Sequence, residues 1–171
     1  RVDQRSLLST CLAGTAARGK TKEEDEKIGD FLLNDQKNRE EHDFVVQMIK
    51  KAVTNYSTDV TIPNAPVLDR LKNLQHLYTP VTATLKKEYS IFDVVEQLHP
   101  TPALGGTPTE EALAFIRNYE PMDRGWYGAP VGWVDSHDSG EFAVAIRSGL
   151  IQGDEASLFA GCGIVKDSDP K

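Results

Sequence analysis

Near the end of this chain one arginine is predicted to rise from a floor of small side chains. Strand alternation along Phe142 to Ile151 sends Phe142, Val144, Ile146, Ser148 and Leu150 to one face, and Ala143, Ala145, Arg147 and Gly149 to the other. A guanidinium above small residues offers a bidentate fork to a planar carboxylate; the same arginine at a sheet rim would pair with a local acid. The following strand, expected over Ala156 to Val165, places Gly161 and Gly163 on one face. Paired glycines in a strand often mark the close approach of another group to the backbone. Tyr127 supplies a phenol donor for the same carboxylate, or packs in the core beside Ala129, Val131 and Trp133. His99, ahead of Pro100, either closes a helix end or donates to a substrate oxygen. The turn Ala13-Gly14-Thr15 offers backbone N–H groups and a hydroxyl.

The remaining candidate is a carboxylate on a helix. A helix is predicted from about Gln36 to Val53, with Phe44, Val45, Met48, Ile49 and Ala52 as its apolar stripe. Glu41 projects from the edge of that stripe, as a rim residue or a functional one; His42 reads as a structural hydrogen-bonder rather than a metal ligand.

The elements that must hold these groups follow from local pattern. Ser6 to Ala13 reads as a strand entering the Gly14-Thr15 turn. Thr21 and Glu24 have capping-box spacing ahead of a helix from about Glu23 to Leu33, with Ile28, Phe31 and Leu32 on one side. Val67 to Leu85 suggests strands bent around Thr79-Pro80. Ser90 caps a short helix, the loop Pro100 to Pro108 follows, and Thr109 caps another helix that ends before Pro121. From Trp126 onward the pattern is a sheet: a strand to Val134, a turn over Asp135 to Gly140, and the two strands already described.

Composition narrows the classes. A length of 171 residues suits one compact domain, and a net charge of −7 argues against a general nucleic-acid binder. No apolar run approaches the roughly 18 residues needed to cross a bilayer. Cys11 and Cys162 lie far apart without metal-ligand spacing, which predicts reduced thiols and a cytoplasmic protein. No phosphate-binding GxxxxGK[ST], dinucleotide GxGxxG, HExxH or GxSxG motif is present. The chain opens on Arg1-Val2-Asp3 and stops at Asp169-Pro170-Lys171, which suggests a piece of a longer protein.

The ordered set Leu12-Ala13-Gly14-Thr15, Lys37-Asn38-Arg39-Glu40-Glu41-His42, His99 to Gly106, Arg124 to Pro130, Ala145-Ile146-Arg147 and Ala160 to Ile164 resembles the chorismate-binding enzymes. These comprise the isochorismate, salicylate, anthranilate and aminodeoxychorismate synthases. The resemblance covers nearly all of the chain. His99-Pro100-Thr101-Pro102-Ala103-Leu104-Gly105-Gly106 is similar to isochorismate synthases and unlike the HP-x-G-[ST]-x-x-GAPK of the anthranilate branch. Asn73-Leu74-Gln75-His76-Leu77-Tyr78 and Arg124-Gly125-Trp126-Tyr127-Gly128-Ala129-Pro130 are similar to menaquinone-pathway members of that branch.

That resemblance implies an α/β (α+β) layered fold with a largely antiparallel sheet and helices packed outside, here a partial chorismate-binding domain over residues 1–171. It implies magnesium-dependent conversion of chorismate to isochorismate, without redox chemistry or ATP. A glutamate-bound Mg2+ holds the ring carboxylate, a lysine base activates water for ring carbon 2, and a glutamic acid protonates the hydroxyl leaving carbon 4. By matching position, Glu41 would bind the metal. Arg147 and Tyr127 would bind the pyruvyl carboxylate, with backbone from Gly161 and Gly163 nearby. Gly14, Thr15 and His99 would face the ring. The site then requires Glu41 and Arg147 to face one cavity.

The family's lysine base and acidic glutamate would precede Arg1, and its second metal glutamate would follow Lys171, so the chain alone is expected to be inactive. Asn38 stands where the family has Asp, which weakens any second ligand beside Glu41. A salicylate synthase and a non-catalytic binding module of the same fold are the alternatives. No nucleic-acid, membrane or glutaminase partner is expected; strand edges exposed by truncation would favour self-association.

Overall fold

The structure is a computed structural model and describes residues 1–162 and Ile164. It divides into two compact units, Arg1–Gln97 with Val134–Gly140, and Leu98–Trp133 with Glu141–Lys171.

The first unit is built on a long antiparallel pair. Strand β1 (Val2–Asp3) leads into β2 (Ser6–Ala17), and two helices follow, α1 (Lys22–Asn34) and α2 (Gln36–Thr54). Strands β3 (Ser57–Thr61), β4 (Val67–Arg70) and β5 (Leu74–Leu85) then precede α3 (Ile91–Leu98). β2 pairs with β5 from Ser6↔Thr84 to Ala17↔Leu74, with β1 beyond β2 and with β3 and β4 on the other side of β5. Period-two burial puts Gln75, Leu77, Thr79, Val81, Ala83 and Leu85 of β5 inside, beside Leu7 and Cys11 of β2. Leu32 of α1 and Val46, Ile49 and Val53 of α2 cover this face. Each such apolar side chain contributes about 1.5–3 kcal/mol by leaving water.

Asp35 joins the two helices by ending one and starting the next. Its N–H donates to the Phe31 carbonyl at 2.8 Å, and its carboxylate accepts from the Asn38 N–H at 2.9 Å. Thr21 caps α1, its hydroxyl accepting from the Glu24 N–H at 3.2 Å. The reciprocal half of the capping box goes elsewhere, because the Glu24 carboxylate accepts from the Lys20 N–H at 2.7 Å.

Several elements differ from expectation. β2 does not stop at Ala13; it runs on to Ala17 through a bulge, with Gly14 at φ 78° as the inserted residue. β5 passes through Pro80 unbroken. The pairs of β4 end at Tyr78 and those of β3 begin at Thr82, so on that side no ladder bond is asked of the missing proline N–H. The buried face of α2 is His42, Val46, Ile49 and Val53, rotated from the predicted stripe, and Phe44 is 54% exposed. On α1, Phe31 is exposed and Gly29 is buried with Leu32.

The second unit holds α4 (Pro102–Gly105), inside what was expected to be loop, and α5 (Thr109–Tyr119). Thr109 is the first residue of α5 rather than its cap, a place taken by Pro108 without a side-chain bond. Most of a hairpin of β6 (Pro130–Val134) and β7 (Gly140–Val144), whose turn Val134–Gly140 belongs to the first unit, is followed by a hairpin of β8 (Gly149–Gln152) and β9 (Glu155–Leu158). The turn of the first hairpin is held by the Asp135 carboxylate, which accepts from the N–H groups of His137 and Ser139 at 2.8 and 2.9 Å. β6 starts four residues later than the predicted strand. The strand predicted over Phe142 to Ile151 is broken between β7 and β8, and β9 ends at Leu158. No helix among the described residues is long and apolar enough to cross a membrane.

Candidate functional site

In the first unit the glycine bulge and α2 come together. A side chain on Gly14 would meet the Asn38 Oδ1 at 3.2 Å and Leu77 at 3.3 Å, so the bulge lies directly on the first turn of α2. Asn38 is held there by its Nδ2, which donates to the Asp35 carboxylate at 2.7 Å. Glu41 follows Asn38 by three residues, which places both on one side of the helix. Glu41 is exposed and, among the described residues, in no ion pair or hydrogen bond. No group of three His, Cys, Asp or Glu side chains among the described residues is placed to hold a metal ion.

His42 is a hydrogen-bonding core residue. It is fully buried, with Nδ1 3.2 Å from the Ala13 carbonyl and Nε2 2.8 Å from the Thr79 hydroxyl. Burial holds its pKa below the usual imidazole value, so the neutral ring is favoured. Cys11, 3.7 Å from Nδ1, has its pKa pushed up to about 12 by burial and then by the Asp43 charge, so it is an inert thiol.

The Thr15 hydroxyl is not idle. It lies 2.9 Å from Nδ1 of His76, its cross-strand partner on β5, and His76 in turn sits opposite Asp69 on β4. Thr15, His76 and Asp69 therefore form one row across three strands. Sequence reasoning did not single out His76; the clue lay in the alternation of β5, which puts it on the face opposite the buried Gln75 and Leu77.

In the second unit Tyr127 and Gly161 meet. A side chain on Gly161 would come to 2.5 Å from the Tyr127 hydroxyl, and the Tyr127 ring stacks on Phe159 at 5.5 Å. The backbone before Arg147 is set by a bulge-like pairing, in which the Gly128 N–H donates to the Ala145 carbonyl and the Ala145 N–H to the Ala129 carbonyl, both at 2.9 Å. Arg147 does not rise from a strand. It sits on a bend at φ 51°, exposed, and among the described residues without an ion pair or hydrogen bond. The predicted alternation fails here because the chain leaves the strand after Val144.

His99 is half-buried after α3, and burial holds its pKa below the usual value. Arg124 is committed to structure: it pairs with both carboxylate oxygens of Glu120 and donates to the Leu104 carbonyl at 3.1 Å. Gly163 lies outside the described residues. Gly14, Thr15 and Glu41 belong to the first unit, and His99, Tyr127, Arg147 and Gly161 to the second. A groove of about 310 Å3 beside α2, between Asp43, Gln47 and Lys50 and the segment 62–66, is lined by none of these residues.

The family model described as chorismate binding enzyme matches residues 1–171. The chain is 57% identical over 168 residues to the isochorismate synthase MenF of Bacillus subtilis, covering 98% of this chain and 36% of that protein. Among solved structures it is similar to the 2,3-dihydroxybenzoate-specific isochorismate synthase DhbC of Bacillus anthracis. The TM-score is 0.88 at 34% identity, over 98% of this chain and 45% of that one. The menaquinone-specific isochorismate synthase MenF of Escherichia coli matches with a TM-score of 0.87 at 34% identity, over 99% of this chain and 39% of that one. The chain thus spans less than half the length of these relatives. An antiparallel sheet carrying helices on its buried face, a glycine bulge resting on α2 and a match along every residue have one common explanation: the chain belongs to the chorismate-binding enzyme family.

Proposed function

We propose that this chain is the ligand-binding part of a menaquinone-pathway isochorismate synthase, a partial chorismate-binding domain of an enzyme that isomerises chorismate to isochorismate. The observation that carries this reading is the 57% identity to an isochorismate synthase along 98% of the chain. This reading assigns a carboxylate two donors, the Arg147 guanidinium, unengaged among the described residues, and the Tyr127 hydroxyl, which stands against the Gly161 backbone. In this role Arg147 and Tyr127 fix the pyruvyl carboxylate, with Gly161 giving it a backbone contact and Gly163 following in the sequence. Gly14, Thr15 and His99 face the ring.

Glu41 is the residue that would hold magnesium. An exposed, uncommitted carboxylate suits a cation that keeps several waters and takes one or two carboxylates beside its substrate. When bound, the ion supplies a hard positive charge for the ring carboxylate. Asn38 cannot serve as a second carboxylate and is already tied to Asp35. No residue of this chain is assigned as base or acid, so turnover needs a longer polypeptide that supplies them.

Unpaired cysteines suit a reducing, cytoplasmic compartment. No glutaminase, nucleic acid or membrane partner enters the scheme, and the exposed Trp126, Ile151 and Leu158 favour self-association.

The test is product analysis. A polypeptide that includes this chain and the missing catalytic groups, given chorismate and magnesium, is expected to yield isochorismate. Salicylate with pyruvate would indicate a salicylate synthase, and no product a binding module. Normal turnover by the 171 residues alone would overturn the division of labour proposed here.

A further inference from the structure

We propose that His42 is a positioning residue: its ring fixes the bulge of β2 and, with it, the place of Gly14 and Thr15. The last step rests on the isochorismate synthase reading, which puts those two residues against the ring; the anchoring of the bulge does not.

A bulge leaves backbone groups without a ladder partner. Ala13 pairs with Leu77 and Thr15 with His76, while Gly14 at φ 78° has no counterpart on β5. The Ala13 carbonyl at this point faces Nδ1 of His42 at 3.2 Å. The opposite nitrogen, Nε2, is 2.8 Å from the hydroxyl of Thr79, the cross-strand partner of Cys11. One arrangement satisfies both contacts: Nδ1–H donates to the carbonyl, and the hydroxyl donates to Nε2. The Cys11 Sγ is 3.7 Å from the same Nδ1 and can donate its own proton to the His42 carbonyl oxygen at 3.8 Å, which leaves the Nδ1 proton for Ala13.

The ring thus ties α2 to both strands beside the bulge. Because it is fully buried, water cannot replace the bonds if it is removed. Glu41 immediately precedes His42, and Asn38 packs on Gly14, so the bulge and the carboxylate share one anchor.

Three substitutions separate anchoring from packing. His42→Asn keeps an amide near the Nδ1 position, His42→Gln puts one near Nε2, and His42→Leu fills the space without polarity. Packing alone would favour Leu and Gln over Asn. Anchoring through Nδ1 predicts the reverse order.

Nitrogen NMR of the 171-residue chain should show His42 protonated at Nδ1 and bare at Nε2. The Gly14 and Thr15 amide resonances should stay close to wild type in His42→Asn and move in the other two variants. Chorismate affinity, measured with magnesium present, should be about tenfold or more weaker in His42→Gln and His42→Leu than in His42→Asn. A ring protonated at Nε2 overturns the proposal, as does a His42→Leu chain with unchanged bulge resonances. The tautomer measurement needs no variant, so a substitution that prevents folding leaves the question decidable. Bulge amides that ignore saturating chorismate in the wild type would refute the ligand role of Gly14 and Thr15, while the tautomer and the order of variants still judge His42.

Discussion

Charged side chains in this chain fall into two groups, those spent on structure and those left uncommitted. Asp25 is spent. Its carboxylate accepts two bonds from Arg18 at 2.8 Å and one from the Gly19 N–H at 2.8 Å, with Arg70 3.7 Å away. The Arg18 hydrogen bonds, then the Gly19 N–H, hold its pKa down to about 2. A carboxyl whose folded pKa lies below the unfolded value of about 3.9 stabilises the fold above that value and loses its contribution as pH falls through the folded pKa. Urea midpoints of wild type and Asp25→Asn should therefore differ by a constant amount above about pH 5 and converge as pH falls from about 4 to 2. A gap that stays constant across that window would contradict the assignment. Glu41 and Arg147, by contrast, have no ion-pair partner among the described residues; the sequence pointed to Arg147 through a strand alternation the backbone does not keep, and to a metal role for Glu41 only through the family resemblance. His42 was legible as a hydrogen-bonder, but its partners Ala13 and Thr79 were not, since they come from strands 29 and 37 residues away.

Pattern revealed which elements exist more readily than it revealed their phase or ends. α1 and α2 lie within two residues of expectation because the Thr21 capping signal and the apolar period of α2 are local. The phase of α2 was missed because counting apolar residues cannot anticipate a buried histidine; once His42 points inward, Phe44 must point out. Proline at 80 looked like a break, and only the register of β3 and β4 explains its place inside a continuous strand. The bend at Arg147 was likewise hidden, since alternation of residue types continues past Val144 although the backbone does not. Close approaches between elements are equally invisible in sequence. Gly19 lies so near the start of α1 that a side chain there would overlap the backbone nitrogen of Asp25. Gly19→Ala should lower stability by about 1–3 kcal/mol, read from chemical denaturation, because backbone rather than a pliable side chain must yield. An unchanged denaturation midpoint would show that this junction is looser than described.

At the scale of the molecule, two compact units each carry part of the residue set proposed above for the ligand. One carries Glu41 on the helix whose Asn38 packs on the glycine bulge; the other carries Arg147, and Tyr127 against Gly161. The proposed function assigns a metal-held carboxylate to Glu41 and a guanidinium-held carboxylate to Arg147. Calorimetric titration of chorismate into the 171-residue chain tests it most directly, with wild type, Glu41→Gln and Arg147→Ala each measured with magnesium and after chelation. The account predicts saturable binding by wild type that weakens on chelation, and no further effect of chelation on Glu41→Gln. It also predicts a loss of about tenfold or more in Arg147→Ala whether or not the metal is present. Equal affinity across the three proteins, or binding indifferent to magnesium, would contradict it.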